Sequence, residues 1–137
     1  DLAEVIVPGG WLEGAELAAA YRLAQVVVLP SVCFDSFPTI NLEGMAAGAV
    51  PVTTCFGGGC EAVIDGETGF VVNPYNTEAL ADRLIRLLTD EALRQRMAAA
   101  GRARVEEHFT LQQQTEKMLA VFERAIARRS ARMHRSR

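Results

Sequence analysis

Two carboxylates, Asp35 and Glu43, have seven residues between them in the stretch Asp-Ser-Phe-Pro-Thr-Ile-Asn-Leu-Glu, and Gly-Met-Ala-Ala-Gly follows at once. The spacing suits a helix that begins near Pro38 or Thr39. The first turn of such a helix has backbone N–H groups without intrahelical partners and carries the positive end of the helix dipole, which together seat a phosphate. Asp35 then lies in the loop ahead of the seat. Glu43 lies about a turn inside the helix, on the face that carries Thr39. A diphosphate with a polyol at each end fits this arrangement. A nucleotide sugar is such a ligand, with a ribose diol on one side of the pyrophosphate and a sugar ring on the other.

The elements that position these residues follow from the pattern around them. Val26-Val27-Val28-Leu29-Pro30-Ser31 is a short apolar run ended by proline, as expected for a parallel strand buried on both faces. In open α/β sheets ligands bind beyond the carboxyl ends of such strands, where the Asp35 loop falls. The pattern predicts a strand over 4–7, then Pro8-Gly9-Gly10 leading into a helix over 15–23, and a strand over 25–29. A helix over 39–47 ends at Gly48, a strand over 51–54 follows, and Gly57 to Gly59 form a loop. A helical turn over 61–64, a turn over 65–69 and a strand over 70–72 complete the sheet region. Beyond Pro74 the chain turns helical: Leu80, Leu84, Leu87 and Leu88 recur at helical spacing, with Thr77 as the expected cap. Two further helices are expected over about 90–106 and 111–128, the last with Met118, Leu119, Phe122 and Ile126 on one side.

Composition bounds the class. A chain of 137 residues supports one domain at most, and half of its residues are apolar. No run is long enough to span a bilayer and no signal-peptide pattern opens the sequence, so a cytoplasmic location is the expectation. Cys33, Cys55 and Cys60 are odd in number and lack metal-type spacing, which reads as reduced thiols in loop or core positions. From Arg124 to Arg137 there are six arginines and no acidic residue, so the stretch before them carries all the acidic excess. A basic end of this kind is expected as a solvated, frayed tail; the alternative is a peripheral contact with the inner face of a membrane. No nucleic-acid partner is expected.

From Tyr21 to about Phe109 the chain resembles the donor-binding domain of retaining glycosyltransferases with the GT-B fold, the glycosyl transferases group 1 family. The shared elements are Pro30-Ser31, Asp35, Glu43, Gly44-Met45-Ala46-Ala47-Gly48, Pro51-Val52 and Gly57-Gly58-Gly59-Cys60-Glu61, continued by Asp65-Gly66-Glu67-Thr68-Gly69-Phe70-Val71-Val72. Asp35 stands where the family commonly has Glu, one methylene longer. Ser36 and Pro38 stand where it often has Gly, and Pro38 has no N–H to donate, which moves amide contacts to Thr39 or Ile40. Proline still suits the start of a helix, where that N–H would be unpaired anyway.

The resemblance implies an α/β, Rossmann-like parallel sheet with flanking helices, the later part of the C-terminal half of a GT-B fold. Residues 1–110 would be a partial nucleotide-sugar-binding domain, 111–129 a helix that crosses back to a first domain, and 130–137 the basic tail. It makes Asp35 the catalytic-site acid near the donor sugar's hydroxyls and Glu43 the acceptor of two hydrogen bonds from the ribose diol. Ser36, Phe37, Thr39, Ile40 and Gly58 join them as donor-contacting residues. Plainer readings stand beside these: Asp35 as a turn or cap residue, Glu43 as a helix acid favoured by the dipole, Thr39 and Ile40 as an ordinary first helical turn, and the glycines as a flexible turn. Glu61 is expected to hold the glycine loop through N–H groups. His108 and His134 have no partner that sequence identifies, and Trp11 reads as a packing or loop residue. The family's phosphate-binding Arg and Lys have no counterpart here, the sole lysine being Lys117.

The implied activity is transfer of a sugar from a nucleoside-diphosphate sugar to an acceptor hydroxyl on a glycan, lipid or small molecule, with retention and without a metal or other cofactor. The acceptor would be held by a domain outside this chain, so the chain alone would be incomplete as an enzyme. The alternative is a noncatalytic nucleotide or nucleotide-sugar binding module.

Overall fold

A computed structural model describes residues 4–135, with side chains through Arg129. Helix α1 (Gly14–Leu23) leads to strand β1 (Val26–Leu29), and helix α2 (Thr39–Ala47) leads to strand β2 (Val50–Thr54). The short helix α3 (Gly59–Ala62) leads to strand β3 (Phe70–Val72), and three helices follow: α4 (Thr77–Thr89), α5 (Glu91–His108) and α6 (Leu111–Arg135). The sheet is parallel throughout in the order β1-β2-β3, with Val26 opposite Val50 and Val52 opposite Phe70. This is the expected α/β arrangement of a parallel sheet with flanking helices.

The centre of the fold is β2, every residue of which is buried. Alternation along the strand divides it between two layers. Val50 and Val52 join Phe70, Val72, Leu87, Leu93 and Met97 in the core under α4 and α5. On the opposite side, Met45, Ala62 and Val63 form a second cluster with Phe37 and Leu42 packed against it. Gly48 closes α2 in the left-handed region at φ 95°, its N–H donating to the Gly44 and Met45 carbonyls. Glycine adopts that conformation without steric cost, which sets the sharp entry into β2.

Several expected boundaries move. Residues 4–7 do not form a strand: Val5, Ile6 and Val7 are 73%, 62% and 88% exposed, and no strand among the described residues lies beside them to take up their hydrogen bonds. The cap of α4 is Asn76 rather than Thr77, its Oδ1 accepting from the Ala79 N–H at 3.0 Å, as suits a residue type that ranks above threonine at this position. Asp90 caps α5 in the same way, accepting from the Leu93 N–H at 2.9 Å. The turn expected over 61–64 forms two residues earlier as α3, because the β-branched Val63 is already extended at φ −103° and ψ 125°. Pro38 takes the cap position of α2, just outside the first helical residue.

Helix α6 continues to Arg135, past the expected end near 128, while the side chains of 130–135 and residues 136–137 of the basic tail, His134 included, lie outside the description. Its Met118, Leu119, Phe122 and Ile126 are all at least half exposed. Among the described residues no helix is long and apolar enough to cross a membrane.

Candidate functional site

The loop between β1 and α2 leaves the carboxyl end of the sheet and is shaped by Asp35. Its Oδ1 accepts the Phe37 N–H at 3.1 Å, an Asx turn that brings the chain round to Pro38. Pro38 caps α2 with an extended backbone at φ −71° and ψ 103°, offers no N–H, and is replaced by no other side-chain cap. The Asn41 N–H bonds back to the Pro38 carbonyl at 3.2 Å. The amides of Thr39 and Ile40 therefore remain without intrahelical partners, and the first turn carries no acid to match the helix dipole.

A second loop is built against the first. The Gly58 N–H donates to the Asp35 carbonyl at 2.8 Å, and Asp35 and Gly57 form an isolated parallel bridge. A Cβ on Gly57 would overlap the Asp35 carbonyl and one on Gly58 would overlap the Ser36 carbonyl. The glycines of 57–58 thus serve the approach of one loop to the other. Glu61 holds this segment through its backbone, its N–H donating to the Gly58 carbonyl at 3.1 Å, and its own carbonyl accepts from Arg104 at 2.8 Å.

Among the described residues, open cavities lie beside Phe37, Thr39 and Glu43. One, of about 500 Å³, lies between the start of α2 and α6 and is lined by Phe37, Thr39, Leu42, Phe109, Lys117 and Phe122, among others. The other, of about 700 Å³, lies between α1 and α2, with Glu43 in its wall beside Tyr21, Arg22 and Arg102. Asp35 lines neither. Thr39 and Glu43 share a helix but open onto different cavities. Burial pushes the Tyr21 hydroxyl up to about 12, with hydrogen bonding to Glu43 and the negative charge of Glu43 adding to the shift.

Structure adds residues that the sequence did not single out. Asn41 is fully buried; its Nδ2 donates to Thr53 Oγ1 at 3.1 Å, tying α2 to β2, while its Oδ1 has no hydrogen-bond partner. Arg104 on α5 reaches the α3 carbonyls and stacks over Phe109, 5.4 Å from the ring centroid. An Asn amid apolar helix residues was the available signal for the first; nothing local marks the carbonyl contacts of the second, which lie about forty positions away. Trp11 is an exposed loop residue whose Nε1 donates to Glu13 at 2.6 Å, and all three cysteines are free and exposed. Among the described residues no group of three or more His, Cys, Asp and Glu is arranged to hold a metal ion.

A parallel sheet whose carboxyl edge presents a helix start without a side-chain cap, between two acids, belongs to the open α/β class, in which ligands generally bind outside that edge. Comparison with known proteins places it more closely: the pattern of the family described as Glycosyl transferases group 1 matches residues 2–104, and the chain belongs to that family. It is 40% identical over 103 residues to a glycogen synthase of Mycobacterium tuberculosis, covering 75% of this chain and 25% of that protein. In three dimensions it is similar to a sucrose-phosphate synthase from Thermosynechococcus elongatus, with a TM-score of 0.76 and 32% identity over 81% of this chain and 28% of that one. The HepE protein of Anabaena, solved in complex with UDP-glucose, shares the fold with a TM-score of 0.72 and 22% identity over 79% of this chain and 30% of its own. The architecture matches the C-terminal domain of GT-B glycosyltransferases. The chain spans about a quarter of the length of the curated relatives it matches.

Proposed function

We propose that this chain is the donor-binding part of a retaining glycosyltransferase, which moves a sugar from a nucleoside-diphosphate sugar to an acceptor hydroxyl. The observation that carries the proposal is the amino end of α2, where a proline cap, no side-chain cap and no first-turn acid leave the Thr39 and Ile40 amides open to an anion. Asp35 in the preceding loop would face the sugar's hydroxyls, with Ser36, Phe37 and Gly58 around it, and Glu43 would take the ribose diol. Relatives that are glycosyltransferases support the reading, as does a neighbour of the same fold holding UDP-glucose.

Chemistry at such a site is mostly charge stabilisation. As the glycosidic bond breaks, negative charge builds on the departing nucleoside diphosphate, and fixed amides and the helix dipole offset it without reorganising. In a front-face route the leaving phosphate helps deprotonate the acceptor hydroxyl, so the protein supplies no nucleophile and no metal. The acceptor would be bound by a further domain, and the chain alone would not turn over. A cytoplasmic location with a solvated basic end completes the proposal, a peripheral contact of that end with anionic lipid being the alternative.

One observation favours a noncatalytic nucleotide-sugar binding module instead: Asp35, with Ser36, Ile40 and Gly58, lines neither of the cavities that Phe37, Thr39 and Glu43 line. A transfer assay on the full-length protein decides between them, using UDP-glucose, ADP-glucose and GDP-mannose as donors. Release of nucleoside diphosphate that depends on an acceptor and is unchanged by EDTA supports the metal-independent transferase. Binding of these donors without transfer supports the module, and liposome sedimentation unchanged by deleting 130–137 removes the membrane contact.

A further inference from the structure

The Arg104 guanidinium closes a circuit through both loops of the site. From α5 its Nε donates to the Ala62 carbonyl at 2.9 Å and a terminal nitrogen donates to the Glu61 carbonyl at 2.8 Å. These are carbonyls at the end of α3, which a cation matches in charge as well as in hydrogen bonding. At the other end of α3, the Gly58 N–H holds the Asp35 carbonyl at 2.8 Å, and the Asp35 carboxylate holds the Phe37 N–H at 3.1 Å. The Phe37 ring lies 5.8 Å from that of Phe109, and Phe109 lies under the Arg104 guanidinium at 5.4 Å.

We propose that Arg104 is a positioning residue for the donor site: by gripping α3 and the Phe109 ring together, it fixes the glycine loop against the Asp35 loop. The use of that arrangement rests on the donor-site reading above, while the arrangement itself does not. Arginine suits the task because its planar fork reaches two successive carbonyls and its flat face covers a ring. A lysine has one point of charge and no such face. Rigidity gained this way matters because the Gly58–Asp35 bond belongs to loops, and loops open more readily than the strands they join.

The test compares Arg104→Gln, Arg104→Lys and Phe109→Leu with the unaltered full-length protein, by hydrogen exchange at the Gly58 amide and by affinity for UDP-glucose, ADP-glucose and GDP-mannose. Arg104→Gln is expected to speed Gly58 exchange by about tenfold or more and to weaken the preferred donor by about tenfold. Arg104→Lys should recover only part of both, and Phe109→Leu, which keeps the carbonyl contacts, should fall between. Gly58 exchange unchanged in all three variants overturns the proposal, as does an equal rise at amides of α4, which would mark general loosening. Faster exchange at Gly58 alone, with donor affinity untouched, supports the positioning role and overturns the donor-site reading instead.

Discussion

The Gly58 amide and the Asp35 carbonyl, 2.8 Å apart, join the two loops that leave the carboxyl ends of β1 and β2. The bond makes the position of Asp35 a property of the glycine loop as much as of its own turn.

A side chain at position 58 should therefore be costly. Its Cβ would meet the Ser36 carbonyl, a backbone atom that moves only if the loop moves. Gly58→Ala is expected to destabilise the fold by about 1–3 kcal/mol and to weaken donor binding. Thermal melting together with calorimetric titration of UDP-glucose checks both.

Glu43→Ala tests the ribose assignment. Loss of a charged acceptor for two hydroxyls is expected to raise the dissociation constant of the nucleotide-sugar donor about ten- to hundredfold, with the melting temperature nearly unchanged because Glu43 is exposed. Affinity equal to that of the unaltered protein would remove Glu43 from the site.

Much of this was legible in the sequence, and for identifiable reasons. The run of valines at 26–28, the proline at 38 and the glycine at 48 each act through local backbone chemistry, so β1, the start of α2 and its end fall where expected within a residue. The strand expected over 4–7 failed because a strand is a property of its neighbours. The role of the glycines at 57–58 was hidden for a similar reason. Their close contact is with a loop 22 positions earlier, and no local pattern encodes that. Arg104 and Tyr21 act across helices, so their partners appear only once the chain is folded.

Tyr21 gives the pH dependence. Its folded value, about 12, lies above the ordinary tyrosine value of 10.0, so the neutral phenol is the form that the fold favours. The resulting stabilisation is fully present below pH 10 and is lost as pH rises through about 12. The chain has two tyrosines, so a Tyr75→Phe background isolates the phenolate absorbance of Tyr21. Glu43→Gln should then lower the midpoint, and burial should keep it above that of a free tyrosine. A midpoint unmoved by Glu43→Gln would show that the two groups do not meet.

Asn41 and Thr53 form a buried polar pair whose second acceptor is unsatisfied. Asn41→Ala should cost about 1–3 kcal/mol, since it removes the bond and leaves space in the core. The double change Asn41→Leu with Thr53→Val removes both polar partners at similar volume and should cost less than the two single changes together. Denaturant unfolding of the four proteins measures the coupling.

Helix α6 leaves large apolar side chains exposed. Leu111 is 82% exposed, Ile126 66%, and Leu119 and Phe122 both 54%, so one helix displays a row of large apolar side chains to water. Covering such a surface is favourable at roughly 25 cal/mol per Å² of apolar area, and a contiguous patch on this scale promotes association. The 137-residue chain is expected to self-associate at micromolar concentrations, as read by light scattering. Leu119→Glu with Phe122→Glu places two charges in the middle of the row and should return the chain to a monomer without lowering its melting temperature, because neither side chain belongs to the buried core. A monomer before the substitutions would mean that the exposed row does not drive association.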